Sequence, residues 1–220
     1  MLKVTKKKSG SPSLTRKDEA YLFFWSRGKI KKFSNFYGVE IQVVWPLMSD
    51  DDIPDFLRGL TRTYPSSEHA YQALKCGDLG SADEFTTRGL FGNFDVYSVW
   101  PKGGQKFTPE RMRGTWGECI GIVAKMVSKL EPKVIKRTWG VTFQQRRLSE
   151  QVWGAILRAK YGRGSVLGKA LLATGEKILV EYDRSSRLSF WGAKLDAKGG
   201  LVGANAFGEL LMAHRRALQA

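Results

Sequence analysis

The chain has 220 residues, of which 36 are lysine or arginine and 21 are aspartate or glutamate, giving a formal net charge of +15. This length predicts one ordinary domain, and the charge favours a polyanionic partner such as a nucleic acid. No apolar run approaches the roughly 18 residues of a membrane span, and no apolar segment follows the N-terminal lysines as in a secretory signal. A cytoplasmic protein is expected, with Cys76 and Cys119 as reduced, buried thiols.

Residues 1–18 predict a flexible basic arm, because lysines and arginines alternate there with glycine, serine and proline, and the first acidic residue is Asp18. Such a segment buries too little apolar surface to fold by itself. It either adds electrostatic attraction to a nucleic acid or is an inert tail.

Two strands and a loop are predicted next. Tyr21–Trp25 is a short apolar run, and Val39–Trp45 alternates loosely and predicts the second strand of a hairpin-like pair. Between them, the segment Phe33-Ser34-Asn35-Phe36 predicts a loop whose aromatic rings either sandwich a planar base or anchor the loop in the core. Ser49–Asp52 lacks the spacing of a calcium-binding loop and predicts the cap of a short helix that ends at Leu60.

The stretch Tyr64–Lys75 carries the clearest helix signal. Pro65 ends any preceding element, and Ser66 or Ser67 is the expected N-cap. The helix is predicted to run towards Gly77.

One face of this helix groups chemically active side chains. Glu68, Gln72 and Lys75 follow one another at i, i+4 and i+7, so that a carboxylate, an amide and an amine project together. The positive end of the helix favours the charged form of Glu68. The alternative is an ordinary solvated face with a capping glutamate.

The remaining predicted elements are a helix from Ser81 to about Leu90, a glycine-rich aromatic loop over 92–106, helices over 109–129, 149–161 and 166–173, a strand over 177–182, and a last helix containing Leu210–Arg215. A basic segment over 133–147 is either a solvated face or a patch for phosphate groups. This order predicts a helix-rich α+β single domain with a small β element.

Several common chemistries are excluded because their motifs are missing. The chain has neither a Gly-x-x-x-x-Gly-Lys-Ser/Thr phosphate loop nor a Gly-x-Gly-x-x-Gly placed after a strand. Its only histidines are His69 and His214, which with two separated cysteines are too few for a zinc site. His69 is expected to be a hydrogen-bonded helix residue. No metal or cofactor is predicted.

A series of short blocks in chain order resembles the NADAR family, also called YbiA-like N-glycosidases. The blocks are Phe33–Phe36, Ser67-Glu68-His69-x-x-Gln72-Ala73-x-Lys75, Leu157–Tyr161, Leu171–Gly175, Leu179–Glu181, Phe190–Gly192, and Gly203–Gly208 leading into Leu210–Arg215. The resemblance covers most of residues 21–216 and rests on the ordered set. It implies a domain at 19–220 with insertions near 47–62 and 92–107.

The resemblance implies hydrolysis of N-glycosides of ribose phosphates through an oxocarbenium-like state that a nearby carboxylate stabilises. It makes Glu68 that carboxylate and Lys75 a proton donor, a phosphate contact or an amine that captures a ring-opened ribose as a Schiff base. Glu181 is a second candidate carboxylate or an exposed charge, and Trp191 either stacks on a base or packs in the core. Substrate contacts are expected from Phe33, Asn35, Phe36, Ser67, Gln72, Glu181, Trp191, Gly192 and Asn205.

Two substrate classes are attached to this family: ADP-ribose linked to guanine in nucleic acids, and phosphoribosyl intermediates of riboflavin biosynthesis. The basic charge favours the first. This chain departs from the family pattern at Leu188, where an aspartate commonly lies three residues before the Trp-Gly pair, and either Asp183 takes its place or the site is altered. The alternatives are therefore a riboflavin-type N-glycosidase, a non-catalytic module that binds ADP-ribose or nucleic acid, and a general DNA-coating protein. The sequence predicts no particular oligomeric state.

Overall fold

The computed structural model describes residues 20–26, 28–47, 53–92, 118–125, 150–183, 185 and 188–220. The described strands are β1 (Tyr21–Phe24), β2 (Ile41–Val44), β3 (Thr61–Tyr64), β4 (Ile178–Glu181), β5 (Lys194–Leu195) and β6 (Leu201–Val202). The described helices are α1 (Ser67–Ala73), α2 (Leu79–Asp83), α3 (Glu150–Lys160), α4 (Val166–Leu172) and α5 (Ala206–Gln219). Helices combined with short strand pairs confirm the predicted α+β class.

Several predicted segments lie outside the described residues. They are the basic arm at 1–18, the acidic loop at 49–52, nearly all of the loop at 92–106, most of the helix at 109–129, and the basic segment at 133–147. Within the helix predicted over 109–129, residues 118–125 are described: residues 122–125 are helical, as predicted, whereas residues 118–121 are not.

β1 and β4 form a parallel pair that joins the two ends of the described chain. Phe24 pairs with Glu181 at the last position of both strands. Leu179 and Val180 are fully buried, as expected for a parallel strand covered on both faces. Helix α5 packs against β4, and its Phe207 contacts Phe24 edge to face in the core. Glu181 therefore emerges from a rigid, buried strand.

β2 pairs with β3, which corrects the predicted hairpin-like pair with the first strand. Ile41 lies opposite Tyr64, and Val44 opposite Thr61. β3 begins at Thr61, directly after the short helix that was expected to end at Leu60, and its first two residues lie in the expected insertion at 47–62. Among the described residues 53–60, a 3₁₀ turn at Asp55–Leu57 takes the place of that helix. A four-residue strand with two threonines gives a weak local signal, and it is stabilised mainly by its partner β2. β3 runs directly into the start of α1.

Helix α1 begins where the sequence predicts, with Ser66 as its N-cap accepting a hydrogen bond from the His69 amide over 3.3 Å. All seven residues of the helix are buried. A helix this short gains little from its own hydrogen bonds, so packing in the core stabilises it. It ends at Ala73, a turn before the expected stop at Gly77.

The other helix boundaries follow the predictions with one clear difference. α2 is capped by Asp78, whose carboxylate accepts from the Ser81 amide, so it begins earlier than the predicted cap at Ser81 and ends at Asp83. α3, α4 and β4 lie within a residue or two of the predicted ranges. Cys76 and Cys119 are both buried, as expected.

Candidate active site

Glu68 lies in the first turn of α1 and its carboxylate is almost fully buried, with 4% of the residue exposed. The Gln72 side-chain amide donates a hydrogen bond to Oε1 over 2.6 Å, and the Asn35 side-chain amide donates to Oε2. The main chain adds a third contact, because the Glu68 amide donates to the Asn35 carbonyl over 3.1 Å. Three predicted site residues are therefore brought together, and the carboxylate has a fixed orientation.

The electrostatic environment of Glu68 contains opposing influences. Burial raises the pKa of the carboxyl above its ordinary value. The positive charge of Lys75, the hydrogen bond from Gln72 and the positive charge of Lys125 lower the pKa. Their effect is smaller than that of burial, so the pKa stays above its ordinary value. A buried carboxylate held by two amides and two nearby cations suits a group that has to bear charge next to a bound molecule.

Three buried polar atoms beside Glu68 have no hydrogen-bond partner in the described part of the chain. They are Asn35 Oδ1, Ser67 Oγ and Gln72 Oε1. Buried polar atoms are nearly always paired, because leaving one unpaired costs about 1–3 kcal/mol. All three belong to residues that the sequence predicted as substrate contacts, and together they can bind donors of a bound molecule.

The charge of Glu68 also acts on a second carboxyl group, that of Glu181. Burial, and next the charge of Glu68, raise the pKa of the Glu181 carboxyl to about 8. Glu181 as a whole residue is half-buried. Two carboxyl groups that affect each other in this way favour one charged and one protonated form near neutral pH.

Lys160 is a site residue that the sequence analysis missed. It ends α3, is 3% exposed, and its Nζ donates a hydrogen bond to the Ser34 carbonyl over 2.7 Å. Burial lowers the pKa of its amine to about 7, against smaller opposing effects of Cys119 and Glu181. A signal was present in the sequence, because Lys160 follows Val152 and Ile156 at intervals of four on the apolar face of the helix.

The segment 118–125 covers the other side of Glu68. A Cβ atom on Gly121 would lie 2.5 Å from Ser66 Oγ and 2.8 Å from Phe36 Cα, so only glycine fits this approach. Lys125 follows one turn later, with its Nζ 5.2 Å from the centroid of the Phe36 ring. Its charge lowers the pKa of both Glu68 and Glu181. Neither Gly121 nor Lys125 was singled out from the sequence.

An aromatic group borders the site. Trp191 is half-buried and contacts Tyr71, Trp153 and Phe190 edge to face, with centroid distances of 5.7, 5.5 and 5.4 Å. The Nζ of Lys75 lies 4.2 Å from the centroid of the Tyr71 ring, in cation–π contact. Trp191 and Lys75 thus share Tyr71 as a neighbour, and both remain partly exposed.

Three of the predicted substrate contacts, Phe33, Gly192 and Asn205, are constrained by the fold around them. Phe33 is 1% exposed and packs against Phe24 and Tyr161 in the core. Gly192 lies so close to β4 that a Cβ atom would be 2.8 Å from the Glu181 carbonyl. Asn205 adopts a left-handed backbone with φ 48°.

The Asn205 side chain is occupied by β4. Its amide nitrogen donates to the Leu179 carbonyl over 2.8 Å, and its carbonyl oxygen accepts from the Glu181 amide over 3.1 Å. Asn205 therefore fixes the end of the strand that carries Glu181, and its predicted contact with substrate stays a prediction.

Asp183 is the candidate replacement for the aspartate of the family pattern, whose position is occupied by Leu188 in this chain. Partial burial raises its pKa, but hydrogen bonds from Ser185 and Ser189 outweigh this effect and hold the pKa well below its ordinary value. Its carboxylate accepts from the Ser189 amide over 2.6 Å and fixes the turn that leads to Trp191. Leu188 itself is half-buried. The negative charge of Asp183 also raises the pKa of Glu181.

His69 has the structural role expected of it. Its Nε2 lies 3.1 Å from the Phe91 carbonyl and its Nδ1 lies 2.8 Å from Ser66 Oγ. Burial lowers its pKa to about 4, so the ring is neutral near pH 7. The described residues contain no group of three or more side chains suited to hold a metal ion, and no helix among them is long and apolar enough to cross a membrane.

A carboxylate beside unpaired polar atoms, with a second carboxyl group that its charge affects, suits acid–base chemistry on a polar molecule. No family model matches the chain. The sequence is 27% identical over 163 residues to N-glycosidase YbiA of Shigella boydii serotype 4, covering 69% of this chain and 92% of that protein. N-glycosidase YbiA of Shigella sonnei matches with the same identity and coverage.

The fold leads to the same relatives. The NMR structure of Escherichia coli YbiA superposes with a TM-score of 0.51 at 22% identity, covering 91% of this chain and 86% of that one. The two comparisons confirm the resemblance to the YbiA-like N-glycosidases that the sequence blocks indicated, and this chain has their fold.

Proposed function

We propose that this protein is an N-glycosidase that hydrolyses the bond between a ribosyl group and a nitrogen base. The observation that carries the proposal is the buried carboxylate of Glu68, oriented by Asn35 and Gln72 next to the second carboxyl group of Glu181. Cleavage of a glycosidic bond needs one carboxylate to stabilise positive charge on the sugar and one acid to protonate the leaving group. The similar proteins of Shigella are named N-glycosidases, which agrees with this chemistry.

The two carboxyl groups divide the work by their pKa values. Glu181, with its pKa raised to about 8, is mostly protonated near neutral pH and is the proposed acid. Glu68, with two amide donors and two nearby lysines, is the proposed carboxylate. Environments that differ in this way assign the acid and the base of a pair.

The proposed reaction balances as a hydrolysis. The bond from C1′ to the base nitrogen breaks, its electron pair stays on the nitrogen, and that nitrogen takes the proton of Glu181. Glu68 stabilises the oxocarbenium-like ribosyl group and accepts the proton of the water that adds to C1′. The proton on Glu68 then passes through solvent to Glu181, which returns both carboxyl groups to their starting forms. The unpaired oxygens of Asn35, Ser67 and Gln72 are proposed to bind the ribose hydroxyls.

Lys75 and Lys125 are proposed to keep Glu68 charged and to attract the phosphates of the substrate. The three roles foreseen for Lys75 differ in chemistry, because a proton donor, a phosphate contact and a Schiff-base amine respond differently to replacement by arginine. Arginine preserves the positive charge but neither donates a proton readily nor forms the imine.

The preferred substrate is ADP-ribose linked to guanine in nucleic acid. A formal charge of +15 exceeds what one small phosphorylated metabolite requires, and it favours a long polyanion. Trp191 and Phe36 are the half-buried rings available for a planar base.

The test is incubation with guanine-ADP-ribosylated DNA, with release of ADP-ribose followed by chromatography. Release that Glu68→Gln abolishes and the exposed control Glu209→Gln preserves supports the proposal. A riboflavin-pathway phosphoribosyl intermediate is assayed in parallel, and its cleavage alone would replace the preferred substrate. No product from folded protein on either compound would indicate a binding module instead.

A further inference from the structure

A groove with a volume of about 460 Å³ lies beside the Phe33–Tyr37 loop, with Phe33 and Tyr37 among its lining residues. We call it the lysine groove. Four lysines line it, Lys29, Lys31, Lys32 and Lys177, and apolar side chains including Leu22 and Ala170 form its floor. No role in the proposed glycosidase reaction has been given to any of these residues.

The lysine groove carries excess positive charge. Lys29, Lys32 and Lys177 are exposed, and no carboxylate in the described part of the chain pairs with them. Glu118 also lines the groove, but its carboxylate is paired with the Nζ of Lys31 over 2.8 Å. Three lining lysines thus have no acidic partner among the described residues, although the Nζ of Lys32 lies 5.6 Å from the centroid of the Phe33 ring. Phosphate groups are the ligands that such an array attracts.

The walls of the groove are held by buried groups. The guanidinium of Arg215, a residue only 5% exposed, donates to Thr174 Oγ1 over 2.7 Å and to the Lys177 carbonyl over 2.9 Å. At Phe33, another lining residue, the carbonyl accepts a hydrogen bond from the hydroxyl of Tyr161 over 3.2 Å. Several lining residues are therefore held by hydrogen bonds to buried side chains.

The groove and the candidate active site share their supporting elements. Tyr37 lines the groove, and the Nζ of Lys160 lies 5.9 Å from the centroid of its ring. The same Nζ binds the Ser34 carbonyl, and the next residue, Asn35, donates to Glu68. One short loop therefore contains residues that line the groove and a residue that binds the carboxylate.

We propose that the lysine groove binds a single-stranded segment of nucleic acid that continues from the nucleotide held at Glu68. Lys29, Lys32 and Lys177 contact its phosphates, and the apolar lining of the groove contacts its sugars and bases, as in other grooves for single strands. A single strand is the form expected, because a base inside a duplex cannot reach a buried carboxylate without leaving the stack. This inference rests on the proposed function in its choice of substrate, but its binding test does not require turnover.

The test measures binding of a fluorescent, unmodified single-stranded oligonucleotide of about 12 nucleotides to the full-length protein at several salt concentrations. The groove variant is Lys29→Glu, Lys32→Glu and Lys177→Glu combined. The control variant, Arg163→Glu, Lys198→Glu and Arg216→Glu, changes the net charge equally at exposed residues that do not line the groove. Circular dichroism and thermal unfolding establish that both variants are folded.

We expect the groove variant to lose at least about tenfold in affinity and to reduce the slope of log K against log salt by about 2, since each single-strand phosphate contact contributes roughly 0.7. The control variant should retain most of the affinity and the slope. Equal losses in both variants, or none in the groove variant, would overturn the proposal.

A second measurement separates this inference from the proposed function. Release of ADP-ribose from a modified mononucleotide should be unchanged in the groove variant, while release from a modified strand should fall. If neither substrate is cleaved by the unmodified protein but the binding difference persists, the glycosidase proposal fails and the groove proposal stands.

Discussion

The Nζ of Lys160 donates a hydrogen bond of 2.7 Å to the main-chain carbonyl of Ser34, a residue 126 positions earlier in the chain. The next residue after Ser34 is Asn35, whose side chain orients the carboxylate of Glu68. Helix α3 therefore supports the loop that supports the carboxylate. Burying an amine destabilises the folded protein unless the charge of the amine is reduced or its hydrogen bonds are satisfied.

Lys160 makes the stability of the protein depend on pH in a defined direction. Burial lowers the pKa of its amine to about 7 in the folded protein, whereas an unfolded lysine ionises near about 10.4. Between these values the unfolded chain binds more protons, so the contribution of Lys160 to the free energy of unfolding rises as pH increases. Lys160→Met should remove this rise. Urea unfolding near pH 7 and near about pH 9.5 measures it.

The exposed Lys169 on α4 provides the control for that experiment, because Lys169→Met removes an amine without changing a buried one. It should keep the pH dependence of the unmodified protein. An unchanged pH dependence in Lys160→Met would show that the amine stays protonated in the folded state throughout this range.

Glu181→Gln should abolish the alkaline fall in activity. If protonated Glu181 is the acid, activity declines as pH rises through its pKa of about 8, because the proton is lost. A glutamine has no proton to donate, so the rate should drop by about 10²–10⁴ and the residual rate should no longer decline in that range. The measurement is the pH profile of base release, with Glu209→Gln as the control. An alkaline limb that persists in the variant would assign it to another group.

The local part of this site was predictable from sequence. Ser66 caps α1, and Glu68 and Gln72 meet on one face, because helix periodicity alone puts residues four apart together. The sequence did not predict the contacts between residues that lie far apart in the chain. Neither the pairing of β1 with β4 nor the contact of Lys160 with Ser34 has a local signature.

The miss at β3 has a specific physical reason. The strand has only four residues and ends directly before Pro65, so its threonines and tyrosine give a signal too short to distinguish a strand from a loop. The predicted hydrogen bond of Asn205 to a ribose or base stays a prediction, although its side chain bonds the backbone of β4. An asparagine at a helix start suits both roles.

Gly121→Ala should destabilise the protein by about 1–3 kcal/mol, because the new methyl group would press on the Cα of Phe36 and on the hydroxyl that caps α1. Gly154→Ala in α3 is the matched control. Its methyl group would meet only the flexible guanidinium of Arg158, and alanine favours a helix interior by about 0.5–1 kcal/mol. Urea unfolding of both variants measures the difference. Equal stability would mean that the segment 118–125 moves away without cost.

Lys75→Met should shift the acid limb of the pH profile towards higher pH. The charge of Lys75 is the first effect that opposes burial at Glu68, so removing it raises the pKa of that carboxyl further. Activity requires ionised Glu68, and the pH at which activity appears should therefore rise. Lys75→Arg retains the charge and should restore the limb.

The same pair of variants decides how Lys75 acts. If Lys75 acts through its charge, Lys75→Arg retains most of the rate as well as the position of the limb. If its amine forms a Schiff base, Lys75→Arg is as inactive as Lys75→Met, and borohydride reduction traps the substrate on the unmodified protein alone. An acid limb that does not move in Lys75→Met would contradict the coupling to Glu68, because the two groups would then titrate independently.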